Sequence, residues 1–446
     1  MALTVVSSKG NHIYLLPFLT MLTKTRFLML FLCVFFTLVI ITALISIVID
    51  PRGMFHAVDI KGFNDKKITF IRFETFIKPH QVSKSKANVI FLGDSRANTT
   101  FVSSLDHKYF TNSDVYTAGM AGQSIYADYR MLQHIQDMNV THIIIFVDHL
   151  SFFSSSTLNQ SMVNNNSDFS HRLNYHDNGK KNYSQWLQNI KDWALLLCSF
   201  NILQESLETI QHQDSEGWYL QKDGTWGGSF AYEGKSQRQY FDYIERTFLL
   251  EPLASIPSTQ VFYESTSDIN TFTTLEKLIE LAHHSKARVE FIIPPVHARM
   301  FEVLYSMGRW SDYENWKRNF VLINEKIAQK QNSAPLTIWD FTAYNNITTE
   351  TVPPYGDKST HMRWFYDDVH VKPELGRIML DEMSDYTKDN NRVTILTSQS
   401  VEKQLEKLRA GHKTYLQQEP KEVLQIYSLC SRIYKDNTRC ISPNDN

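Results

Sequence analysis

The chain reads as an α/β protein: a parallel β-sheet of about five strands with helices on both faces, preceded by one transmembrane helix. Three observations predict this. Short apolar runs of strand length recur along the chain. Amphipathic runs of helical period lie between them. One uncharged stretch near the N-terminus is too long for either.

That stretch comes first. Phe27–Ile49 runs for 23 residues without a charge, and a helix rising about 1.5 Å per residue crosses a hydrocarbon core of roughly 30 Å over that length. A secretory signal would have an apolar region of only about 7–15 residues and a small-residue cleavage site. Here Asp50-Pro51-Arg52 follows directly. The span is therefore expected to persist as an anchor, with residues 1–26 before it and a juxtamembrane segment, 51–87, after it. Basic residues flank both ends, Lys24 and Arg26 before, Arg52, Lys61, Lys66 and Lys67 after, so the positive-inside count leaves orientation open.

Strands are expected at Val89–Leu92, Val115–Ala118, His142–Val147, Arg288–Ile293 and Leu336–Phe341. Helices are expected at Tyr126–Met138, Thr274–His284, Ser311–Lys330 and Pro373–Tyr386. Such alternation implies a parallel sheet covered on both faces, with sites at the carboxyl ends of its strands. The domain spans residues 88–385. Residues 151–270 interrupt the rhythm: a polar run, then Trp186, Trp193, Trp218 and Trp226, with a hairpin turn at Asp223-Gly224. This insertion, at the outlet of the third strand, is expected to form a lid or substrate platform. Two helices are expected in the tail, 386–446, packed on the domain or on a partner.

Composition excludes several classes. A formal net charge of −2 gives no footprint for nucleic acid. No CxxC, HExxH or clustered His/carboxylate spacing suggests a metal site, and no glycine loop would cradle a phosphate. No cofactor is expected. Cys430 and Cys440 lie close enough in sequence to pair in an oxidising compartment, or to remain free thiols.

The chemistry centres on "ANVIFLGDSRANTT", residues 87–100, where an apolar strand stops at Gly93 and presents Ser95 between Asp94 and Arg96. A serine hydroxyl needs a base within hydrogen-bond reach, itself oriented by a third group. "WFYDDVHVKPELGRIML" offers one: Asp367 and His370 stand three residues apart, just before a helix that Pro373 can start.

Gly93-Asp94-Ser95 after the first strand, with Asp367-x-x-His370 before the last helix, resembles the SGNH (GDSL-like) hydrolase superfamily over about residues 88–384. The resemblance implies a flavodoxin-like sheet, Ser95 as nucleophile, His370 as base and Asp367 as its orienter. It further implies an oxyanion-hole glycine, Gly119 or Gly122 in "YTAGMAGQS". The family's third block places an asparagine after the third strand; here "FVDHLSFF" puts Asp148 and His149 there. A carboxylate would repel an oxyanion, whereas His149 could donate to one. Arg96 has two readings, a contact to an acidic sugar or a pairing with Asp94. His297 in "PPVHAR" also has two, a substrate contact in the cleft or a loop cap.

The anchor, the serine motif and "PPVHAR" together resemble the membrane-anchored SGNH-like proteins of bacterial polysaccharide O-acetylation, such as those that acetylate alginate. That resemblance implies a single-pass protein of the bacterial inner membrane, with its main domain in the periplasm or outside. It implies an acyl donor, a glycan acceptor and a multi-spanning membrane acyltransferase as partner. The expected function, as the resemblance implies it, is serine-dependent O-acyl transfer, of acetyl in the family's manner, to a glycan. An esterase, or an inactive glycan-binding or assembly protein, are the alternatives.

Overall fold

The computed structural model describes residues 16–101, 108–111, 113–153, 168–228, 234–256, 262, 270–386, 392–434 and 440–442. The polar run at 154–167 lies outside them, as does the sequence around 257–261.

A six-stranded sheet forms the centre. Its strands are β1 (Val89–Leu92), β2 (Val115–Thr117), β3 (His142–Phe146), β6 (Arg288–Ile293), β7 (Thr337–Asp340) and β8 (Thr394–Ile395); a separate hairpin supplies β4 (Tyr219–Leu220) and β5 (Trp226–Gly227). The order is β2-β1-β3-β6-β7-β8, with the first five parallel and β8 antiparallel to β7. The sixth strand corrects the expected number. It comprises two residues in a tail expected to be helical, and a ladder that short leaves too little alternation to be read as a strand.

Both faces of the sheet are buried, and side chains divide between them with period two. Ile90, Leu92, Ile143, Ile145, Phe291 and Ile293 enter one core, which helices Ile125–Ile135, Thr271–His284 and Trp310–Lys330 cover. Val89, Phe91, Ile144, Phe146 and Ile292 enter the other, beneath helices Ser95–Thr100 and Pro373–Ser384. Continuous apolar strands are what such two-sided burial requires.

Two glycines fix how the turn carrying Ser95 is held. Gly93 sits at φ +128°, and a Cβ there would lie 2.6 Å from the Phe146 Cβ. Gly376, in the first turns of the helix from Pro373, passes so close to the helix from Ser95 that a Cβ would lie 1.8 Å from the Thr100 carbonyl oxygen. These contacts seat the segment carrying His370 against the turn carrying Ser95.

The N-terminal helix, Leu16–Ile49, is long and apolar enough over Lys24–Ile49 to span a membrane. Helices Gln185–Cys198 and Phe200–Gln211 pack against its C-terminal end. Ser46 Oγ donates to the Leu196 carbonyl at 2.6 Å, and Arg52 grips Glu205 through two hydrogen bonds at 2.7 and 2.8 Å. The tail helices, Val401–Gln418 and Pro420–Tyr434, pack on the domain: Glu422 accepts from the buried guanidinium groups of Arg238 and Arg299. Cys430 and Cys440 are joined in a disulfide, their Cα atoms 6.1 Å apart.

Candidate active site

The strand order reverses its direction of growth at β1, with β2 on one side and β3 on the other. The crevice at such a switch point, beyond the carboxyl ends of the strands, is where open α/β sheets hold their sites. Ser95 follows β1 at this crevice. Asp94 caps the short helix that Ser95 begins, its side chain accepting the Arg96 N–H at 2.9 Å.

His370 arrives from a tight loop closed by Tyr366 N–H donating to the His370 carbonyl at 2.9 Å. Its Nε2 lies 2.7 Å from Ser95 Oγ, and its Nδ1 lies 2.8 Å from Asp367 Oδ2. Asp367 is fully buried and also accepts the backbone N–H groups of Val369 and His370 at 2.9 and 2.8 Å. With the Nδ1 hydrogen turned toward the Asp367 carboxylate, which accepts it, Nε2 is the ring nitrogen that accepts from Ser95. Serine, imidazole and carboxylate thus form one hydrogen-bonded chain across 275 residues of sequence.

The remaining candidates separate into those at the site and those away from it. Gly122, at φ +63°, lines the cavity beside Ser95. Gly119 lies behind the nucleophile turn, close against the Asp94 and Gly93 carbonyls. Arg96 lines the cavity too, but its guanidinium is held between Asp94 and Asp148. Burial alone would lower its pKa; the two carboxylates, Asp148 foremost, outweigh that and keep it charged. Burial likewise opposes ionisation of Asp148, and Arg96 overcomes it and lowers its pKa. Of the two readings of Arg96, pairing is the one seen. The Asp148 carboxylate is paired with Arg96 and does not line the cavity.

Two histidines lie elsewhere. His149 begins a short turn that sends its ring into a cage of Phe153, Tyr313 and Trp316, and His149 itself does not line the cavity. Burial, then the nearby Arg96 and Lys317, push its pKa down to about 4, so it is neutral at pH 7. The expected oxyanion donor is therefore a buried aromatic-cage residue. His297 caps the helix Ala298–Ser306, accepting from Arg299 N–H at 3.3 Å, and its Nε2 meets the Glu350 carbonyl at 2.7 Å. It does not line the cavity. The strand-end positions of both residues suggested the cleft; the turns that follow rotate their rings inward.

Sequence reasoning missed the contribution of the juxtamembrane segment. Within helix Glu74–Lys84, Glu74 accepts from Trp226 Nε1 at 3.1 Å and from Ala121 N–H at 2.6 Å. Lys78 donates to Asn98 Oδ1, in the nucleophile helix, at 3.2 Å, and to the carbonyls of Thr117 and Gly224 at 2.9 and 2.5 Å. Burial pushes the Glu74 carboxyl up and the Lys78 ammonium down. Together they tie the segment after the apolar helix to the serine helix, the glycine loop and the tryptophan hairpin. A charged run Glu-x-x-x-Lys reads as an exposed helix face, so no signal marked it.

Asp368, next to the triad carboxylate, is fully buried, and neither of its oxygens has a hydrogen-bond partner among the other described residues. Burial, then Asp367, raises its pKa well above the ordinary carboxylate value. An unfolded aspartate ionises near pH 4, so over the window from there up to the folded value the native state retains a proton that the unfolded state has lost. Stability contributed by this group consequently falls as pH rises. Asp368→Asn should raise stability by about 1–3 kcal/mol at pH 8, with the gain shrinking toward pH 4. Thermal melts across that range check it; a gain independent of pH would count against a protonated Asp368.

In comparisons with known proteins, no protein-family model and no curated protein sequence matches this chain.

Proposed function

We propose that this chain is a membrane-anchored, serine-dependent O-acyltransferase that carries an acyl group on Ser95 and passes it to a hydroxyl of an extracytoplasmic glycan. The observation that carries the reading is the Ser95–His370–Asp367 chain, at 2.7 and 2.8 Å. The strand order β2-β1-β3-β6-β7 is that of a flavodoxin-like sheet, which supports the SGNH reading of the fold.

Ser95 Oγ attacks the donor's carbonyl carbon while its proton passes to His370 Nε2. The tetrahedral intermediate collapses, the carbon–oxygen or carbon–sulfur bond to the leaving group breaks, and His370 returns the proton to that group. In the second half the acceptor hydroxyl gives its proton to His370 and attacks the acyl carbon, the bond from that carbon to Ser95 Oγ breaks, and His370 returns the proton to Ser95. The N–H groups of Ser95 and Gly122 are the donors for the oxyanion in this reading. The third-block amide of the family has no counterpart, since Asp148 is bound to Arg96. The anchor, the periplasmic orientation and the glycan acceptor rest on the apolar helix and on the resemblance.

The test is partition. The full chain in detergent, given an activated acyl ester, should consume it faster when envelope oligosaccharide is added, and the sugar should emerge acylated. Free acid as the only product, with every oligosaccharide indifferent, would establish an esterase instead.

A further inference from the structure

We infer that the acyl group handled by Ser95 is an alkyl chain of about eight to twelve carbons rather than acetyl. This rests on the serine reading above and concerns what the same site accepts. Ser95 and His370 open onto a cavity of about 300 Å³. A cavity of roughly 150 Å³ lined by aliphatic and aromatic groups accepts benzene, six carbons, so this one holds about a dozen. An acetyl group would leave most of it empty. Its wall away from the triad is hydrocarbon: Phe153, Ile244, Phe248, Leu249, Leu253 and Ile256.

Most of this wall comes from one helical run. Gln237–Ile244 continues through widened i→i+5 turns over Glu245–Leu250 into Glu251–Ser255. Glu245, on the side away from the cavity, is locked to the buried Arg299 at 2.6 and 2.8 Å. The widened turns present Phe248 and Leu249 to the cavity while that pair fixes the run in place. Ile71 lines the cavity as well, two residues from Phe73, whose ring lies 3.8 Å from the Arg52 guanidinium just past the apolar helix. The hydrocarbon site and the membrane-spanning helix therefore meet through one short segment.

The experiment is a chain-length series of p-nitrophenyl esters, acetate to palmitate, with the full chain in detergent. kcat/KM should rise about two- to fourfold per methylene up to eight to ten carbons and fall beyond twelve. Leu253→Trp, which fills the cavity, should lower the decanoate-to-acetate ratio at least tenfold. Didecanoyl phosphatidylcholine vesicles and decanoyl-coenzyme A distinguish a lipid from a thioester source; decanoyl transfer from either supports the chain. Rates highest with acetate and falling steadily with length would overturn this inference and leave serine chemistry standing. No Ser95-dependent turnover of any ester would overturn both.

A separate observation carries a second proposal: the pair of helices Gln185–Cys198 and Phe200–Gln211 lies in the membrane interface beside the anchor. From Trp193 to Gln204 no residue is charged. Trp186, Leu187, Ile190, Leu195 and Phe200 face solvent in the chain alone, Phe200 at 79% exposure. An unpartnered apolar face of this kind marks a binding surface. Its continuity with the anchor identifies the occupant as lipid. The Ser46–Leu196 hydrogen bond sets the tip of the pair about 5 Å inside the end of the apolar helix at Ile49, counting about 1.5 Å per residue. Interfacial helices bury their apolar faces roughly 5–10 Å deep.

Cys33 and Cys198 are the free thiols among the described residues, so Cys33→Ser leaves Cys198, at the tip, as the reporter. In lipid vesicles Cys198 of the full chain should resist a membrane-impermeant maleimide and become reactive in detergent. Equal labelling in both would overturn the proposal, including the case where protection appears only in native membranes and a protein covers the face. Release of the chain from vesicles by alkaline carbonate would overturn the anchor reading along with it.

Discussion

Ser95→Ala should lower acyl turnover by roughly four to six orders of magnitude, and adding His370→Ala should cost little more. The reason is geometric. Ser95 Oγ and His370 Nε2 are 2.7 Å apart and act on the same proton, so losing either removes the same step. Asp367→Asn should cost less than either, because that carboxylate orients the ring rather than reacting. It accepts both the ring N–H and two backbone N–H groups, so some loss will come from the loop. Steady-state rates of the single and double variants decide this. Multiplicative losses would mean that the two residues do not share a step.

The second large effect is expected at Arg96. Its guanidinium is nearly fully buried between Asp94 and Asp148. Arg96→Met would leave Asp148 buried without its cation, and breaking such a pair from one side costs about 3–5 kcal/mol. Asp148→Asn alone should cost much less, since Arg96 keeps Asp94 and the amide can still accept the Ser151 N–H that Asp148 accepts at 3.1 Å. The double variant should recover most of the Arg96→Met loss. Chemical denaturation checks all three; a loss below about 1 kcal/mol for Arg96→Met would show that the pair contributes little to holding the serine turn.

Much of the frame was legible because two-sided burial leaves a strong mark. Val89–Leu92 and Arg288–Ile293 are strands over the residues their apolar runs span, and the other three expected strands differ by a residue or two at their ends. The grouping of Ser95, His370 and Asp367 was legible because a strand-terminating glycine and a short Asp-x-x-His spacing are local features. What was not legible depends on partners distant in sequence. Asp148 stands 52 residues from Arg96, and its charge alone suggested repulsion of an oxyanion. Glu74 stands 152 residues from Trp226, so nothing local in the 51–87 segment pointed to that contact. His149 and His297 follow strands, where sites gather, yet local turns carry both rings into aromatic surroundings. The tryptophans of the insertion divide similarly: Trp218 and Trp226 are buried beside the cavity, whereas Trp186 is exposed.

The most direct test of a serine acyl-enzyme is the intact mass of the full chain after brief exposure to an activated acyl ester, with fragmentation to locate the adduct. A single added acyl group on Ser95, absent from Ser95→Ala, is the predicted result. An unmodified chain under conditions of turnover, or an adduct that survives in Ser95→Ala, would contradict it.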